Sequence, residues 1–233
     1  MKDFLDIERI AFFGRTYDEY MRIFDLDVSM LSKGRILDCP AGASSFTAEA
    51  RMKGFDAAAC DVMYGMSADE LFAKGREDLR HVFDKFDEVS HLYTWKCYKD
   101  KDEVMSLRKR ALDSFAHDFS EGIAEGRYVQ AELPHLPFAD GTFSLVLSGH
   151  FLFLYNDRLD PAFHKACLKE LVRISSGEVR IYPLTGLDTK PYPYMEDVLS
   201  FLQTEGIRSE MLDIPFEFQK GANQILKLGR KIR

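Results

Sequence analysis

A chain of 233 residues, 46% hydrophobic and 30% charged, has the length and apolar content of one α/β domain with a full core. A net charge of −7 denies it the broad basic face that gripping a nucleic-acid backbone requires, so the expected substrate is a small molecule or a protein. No apolar run approaches the roughly 18 residues of a membrane span, and acids at Asp3 and Asp6 stand where a signal peptide would be apolar, which argues against export.

Cys39, Cys60, Cys97 and Cys167 show no paired metal-ligand spacing, so they predict no metal site and a reducing, cytoplasmic setting. Two local basic stretches, residues 99–110 and 227–233, read as a solvated helix face and a solubilising tail rather than a nucleic-acid patch. Nothing in the sequence fixes the oligomeric state.

In chain order, residues 12–31 read as helical, with Tyr17, Tyr20, Met21, Phe24 and Leu31 apolar. Residues 35–39 form a first strand, followed by a loop and a helix over 45–53, which Gly54 closes where a left-handed residue is often needed. Residues 55–61 are a second strand. The stretch 66–126 breaks the alternation: it is charged, has no convincing strand, and repeats apolar residues at helical spacing. Its length exceeds the dozen or so residues of an ordinary crossover. It is expected to be a helical insertion over the carboxyl edge of the sheet, either packing plainly on the domain or capping a substrate.

Strands are then expected at 127–131 and 143–148, a helix at 160–174 with Asp160 as N-cap and Pro161 in its first turn, and a strand at 178–183. A helix at 195–205 and strands at 209–214 and 223–228 complete the pattern. The last two strands have no helix between them, so they should pair as an antiparallel hairpin at one edge of a seven-stranded, mainly parallel sheet. The whole chain, 1–233, reads as one domain carrying the 66–126 insertion.

The loop Asp38-Cys39-Pro40-Ala41-Gly42-Ala43-Ser44 follows the first strand and leads into a helix. Ligands of open α/β sheets bind beyond such strand ends, and small residues let a ligand approach the backbone. The loop lacks the Lys of a phosphate-binding loop and two glycines of a dinucleotide fingerprint. Asp61 ends the second strand, where a carboxylate can accept two hydrogen bonds from a ribose diol or, alternatively, cap the next turn.

Residues 132–148 follow, reading Glu-Leu-Pro-His-Leu-Pro-Phe-Ala-Asp-Gly-Thr-Phe-Ser-Leu-Val-Leu-Ser. Here the chain resembles the class I S-adenosylmethionine-dependent methyltransferases, whose fourth strand commonly follows a Leu-Pro-Phe, an Asp-Gly turn and a Phe-Asp-Leu-Val-Leu-like run. The resemblance spans 34–148, interrupted by the insertion, and extends beyond it in the order of elements and the terminal hairpin. It implies a Rossmann-like methyltransferase fold and S-adenosylmethionine as cofactor. By position it implies that Asp38, Pro40, Gly42 and Ser44 hold the methionine part, Asp61 the ribose, and Glu132 and Leu133 the adenine. Ser148 would lie beside the transferred methyl, and Tyr17, with Arg15, would close over the methionine carboxylate.

The loop departs from the usual Asp-x-Gly-x-Gly-x-Gly at Pro40 and Ser44, and Ser144 replaces the usual strand Asp. His150, just past the fourth strand, is the candidate base or acceptor-orienting group; it also reads as a packed strand-end histidine. The expected reaction is in-line methyl transfer to a small molecule. A binding module without turnover would keep the same cofactor residues. An NAD-dependent oxidoreductase would carry more loop glycines and lack the hairpin.

Overall fold

A computed structural model describes residues 2–230; Met1 and the last three residues of the basic tail, 231–233, lie outside the described residues. Seven strands make one sheet: β1 (Ile36–Asp38), β2 (Ala57–Asp61), β3 (Tyr128–Gln130), β4 (Phe143–Gly149), β5 (Ser175–Tyr182), β6 (Ile207–Asp213) and β7 (Gln224–Arg230). Their order across the sheet is β3-β2-β1-β4-β5-β7-β6. The first five pair in parallel, and β7 lies antiparallel to both β5 and β6. The terminal hairpin therefore forms as expected, with β7 inserted next to β5 and β6 at the edge.

Side chains alternate between two cores, as the period of a strand requires. Ile36, Leu145 and Leu147 face one side, with Phe24 and Phe46 from the helices α1 (Tyr17–Ile23) and α3 (Phe46–Met52) and the turns that flank them. Leu37, Val146, Val179 and Ile181 face the other, against α6 (Pro161–Ile174) and α7 (Met195–Thr204). Strand order reverses between β1 and β4, which sets a crevice at their carboxyl ends. Asp160 caps α6 through the Phe163 amide at 2.7 Å, and Pro161 takes the first turn.

The single helix expected over 12–31 is not formed. Residues 11–16 run extended, α1 begins at Tyr17, and a turn at Asp25 separates it from α2 (Val28–Leu31). The reason is local: Thr16 and Glu19 form a reciprocal capping box that fixes the helix start. Gly14 in the extended segment presses so closely on the backbone of Ala43 and Ser44 that a Cβ there would lie 2.1 Å from the Ser44 nitrogen.

Residues 66–126 hold two long helices, α4 (Ala68–Phe86) and α5 (Lys101–Ala124). The second packs on β3 and α3 and serves as the crossover between β2 and β3. The first, with the short turns after it, leans over the carboxyl edge. Beyond those turns, the Thr94 amide and hydroxyl donate to the backbone of Phe218 and Glu217, tying the segment to the loop between β6 and β7. The basic run on α5 is not wholly a solvated face. Arg108 is 2% exposed and pairs with Glu19 of α1 at 2.6 Å.

Candidate active site

A cleft of about 340 Å³ opens where strand order reverses. Its wall is drawn from strand ends: Pro40 and Gly42 after β1, Asp61 at the end of β2, Glu132 and Leu133 after β3, Gly149 and His150 after β4. The extended segment around Phe13 to Arg15 roofs it. Gly42 adopts φ +54°, a left-handed conformation in which a side chain would be strained. Its amide donates to one oxygen of Asp61 at 2.9 Å, and the Met63 amide donates to the other at 2.9 Å. Each carboxylate oxygen retains acceptor capacity for a further donor. Asp61 thus caps the following turn and also faces the cleft, so the two uses weighed for it coexist. Burial raises its pKa above the usual carboxylate range, and the two amides oppose that shift.

Four of the residues singled out from sequence stand outside the cleft wall. Asp38 is fully buried behind the loop; Tyr20 donates to its Oδ1 at 3.1 Å, and its Oδ2 has no partner among the described residues. Burial pushes its carboxyl up to about 8, against the hydrogen bond from Tyr20. Ser44 donates to the Arg15 carbonyl at 3.3 Å and accepts from the Phe46 amide, capping α3. Ser148 is buried with an unpartnered Oγ. Tyr17 stacks on Phe46 with ring centroids 5.6 Å apart; Tyr20, one turn later, stands in the cleft wall.

His150 has φ +55°, rare for a side chain of its size, and its amide is held by the Tyr182 carbonyl at 2.6 Å. Burial pushes its pKa well below 6.5, and the charges of Arg15 and Arg108 push it the same way. The ring is therefore neutral near pH 7, able to accept a proton.

Behind His150 lies a second, smaller cavity of about 80 Å³, walled by Phe83, Phe86, Tyr98, Tyr155, Tyr182 and Phe218 among others. Phe13, Arg15 and His150 belong to both walls. The aromatic cluster of the insertion divides: Tyr93 and Tyr98 line the cavity, while Trp95, 40% exposed, packs edge-on against Phe86 and Phe218. The run 151–155 divides likewise, with Phe151 toward the cleft, Leu152 and Phe153 in the α6 core, and Leu154 and Tyr155 in the cavity. Sequence reasoning missed Phe13, Tyr20, Arg108 and Phe218. The Thr16-x-x-Glu19 pattern was the available signal for Phe13, since a helix beginning at Tyr17 frees the preceding residues to lie across the cleft.

Among the described residues no group of three or more His, Cys, Asp or Glu could hold a metal ion, the four cysteines are free, and no helix is long and apolar enough to cross a membrane.

The chain is 32% identical to an uncharacterized protein of Methanocaldococcus jannaschii over 231 residues, 97% of this chain and 99% of that one. In structure it is similar to an O-methyltransferase family protein of Burkholderia thailandensis, with a TM-score of 0.50 at 10% identity over 92% of this chain and 57% of that one. A protein of Pyrococcus horikoshii gives a TM-score of 0.49 at 13% identity over 92% of this chain and 90% of that one. No protein-family model matches the chain.

Proposed function

We propose, from the premise that the chain belongs to the same family as the Methanocaldococcus jannaschii protein and has the fold of the class I S-adenosylmethionine-dependent methyltransferases, that it transfers a methyl group from S-adenosylmethionine to a small molecule. The observation that carries the reading is the shared wall. A cleft of cofactor size meets a separate apolar chamber at Phe13, Arg15 and His150.

The residues fit the cofactor. Asp61 offers free acceptor sites to a ribose diol, the loop 40–42 brings bare backbone to the cleft, and Leu133, Phe151 and Phe163 supply apolar surface for a base. Glu132, exposed at the rim, is placed to accept from an exocyclic amine. Once bound, S-adenosylmethionine would supply an electrophilic methyl on its sulfonium, to be taken by the acceptor's lone pair as the S–C electron pair returns to sulfur. The protein's part is alignment and exclusion of water. Phe13 and the chamber aromatics exclude water, and neutral His150 takes the proton of an acceptor that starts protonated. The helix α4 and the segment tied to the β6–β7 loop act as the acceptor's cap. The free cysteines suit a reducing, cytoplasmic setting.

Calorimetric titration tests the reading. S-adenosylmethionine and S-adenosylhomocysteine should bind the wild type, and Asp61→Ala should weaken both by at least about tenfold, the loss of one or two charge-assisted hydrogen bonds. His150→Ala should leave that binding within about threefold while lowering turnover by about a hundredfold, as for loss of a general base. Binding of NAD in place of the methyl donor overturns the proposal.

A further inference from the structure

The chamber wall contains two arginines and no carboxylate. Arg108 is satisfied: Glu19, lying behind it, pairs with it at 2.6 Å and also accepts from Tyr98 and Thr16. Arg15 is not. Among the described residues its guanidinium makes no hydrogen bond or ion pair, and it lies 6.0 Å from the centre of the Phe13 ring. Its charge bears on Tyr93, Tyr98, Tyr155 and Tyr182, which line the chamber alone, on His150, which lines both, on Tyr20 of the cleft wall and on Glu19. With four chamber tyrosines against one of the cleft, the side chain is assigned to the chamber rather than to the methionine carboxylate for which its sequence position suggested it.

An unpaired guanidinium among aromatic walls is a costly arrangement in an empty protein and a strong one once an anion arrives. With Arg108 neutralised by Glu19 and His150 uncharged, the chamber carries one net positive charge, which matches a monoanion better than a dianionic phosphate. The cavity, about 80 Å³, limits the body of the occupant to a few apolar atoms before the walls move; a cavity of about 150 Å³ takes a benzene.

We infer, building on the methyltransferase reading, that the acceptor is a small carboxylate whose anion is seated on Arg15 while its body packs among the chamber aromatics, and whose separate protonated nucleophile faces His150, forms the bond to the methyl and gives its proton to that ring. A planar guanidinium presents two parallel N–H donors to a carboxylate, which fixes orientation as well as charge.

The test is calorimetry of acetate, propionate and isobutyrate, each against its neutral amide, with and without saturating S-adenosylhomocysteine. At least one acid should bind about tenfold or more tightly than its amide. In Arg15→Met that preference should fall to about one, and in Arg15→Lys it should survive in part, the loss of acid preference exceeding any loss of S-adenosylhomocysteine affinity in the same variant. Acids binding no better than amides, or Arg15→Met losing S-adenosylhomocysteine while keeping the acid preference, overturns the inference. An acid preference without any binding of S-adenosylmethionine or S-adenosylhomocysteine would instead overturn the methyltransferase reading and leave the Arg15 anion seat standing.

Discussion

Asp38 is buried where water cannot help its charge, so its carboxyl titrates at about 8 in the folded protein against 3.8 as the ordinary value. The folded state then holds a proton that the unfolded state has released, and stability falls as pH rises toward 8. Below about pH 6.5 the suppressed protonation of His150 and His164 works the other way, since there the unfolded chain binds the extra protons. Between about pH 7 and 8 the histidines are silent and Asp38 dominates. Denaturant melts of the unliganded protein should lose on the order of 1 kcal/mol across that unit, and Asp38→Asn should flatten the slope. An unchanged slope in the variant would place the titration elsewhere. The other residue-scale anchor, Asp61, differs because two amides hold its oxygens at the cleft.

At the scale of elements, the pair Glu19 and Arg108 joins α1 to α5 across the end of the sheet. Both side chains are at most 2% exposed, and Glu19 collects Thr16 and Tyr98 as well. Removing one partner strands a buried charge, so Arg108→Met should cost about 3–5 kcal/mol. The double change Arg108→Met with Glu19→Gln should recover much of that loss in urea unfolding. If the double variant is as unstable as the single one, packing of the Arg108 stem and not charge is what matters. The N-terminal segment is latched in the same manner: the Phe12 amide donates to buried Asp78 of α4 at 2.7 Å, and Arg9 and Lys74 neutralise that acid.

At the scale of the molecule, the chamber exists only because distant pieces of chain meet: the N-terminal segment, α4 with its following turns, α5, the 150–155 run, the end of β5 with the residues after it, and the β6–β7 loop. Phe218 is the point where they lock, touching Phe86, Tyr93, Trp95 and Tyr98. Phe218→Ala should destabilise by about 3 kcal/mol and weaken acceptor binding, while S-adenosylhomocysteine affinity changes by less than about threefold, since that cleft has no wall there. Equal loss of both ligands would mean that cleft and chamber are a single cooperative unit.

The order of strands and helices, the hairpin, the α6 cap at Asp160 and the cleft positions of Pro40, Gly42, Asp61, Glu132 and Leu133 were legible in the sequence, because each is written in local periodicity or in a contiguous motif. The Phe12 segment misled for the same reason: apolar spacing extends a helix unless the Thr16 capping box is weighed against it. Local pattern cannot tell which of two neighbouring tyrosines faces a ligand, and the fold put Tyr20 in the cleft wall and Tyr17 outside it, with both rings stacked on Phe46. Nor can it pair Arg108 with Glu19 across 89 positions, leave Arg15 without a partner, or close an aromatic chamber behind His150. Those are contacts between elements far apart in the chain, and only packing decides them.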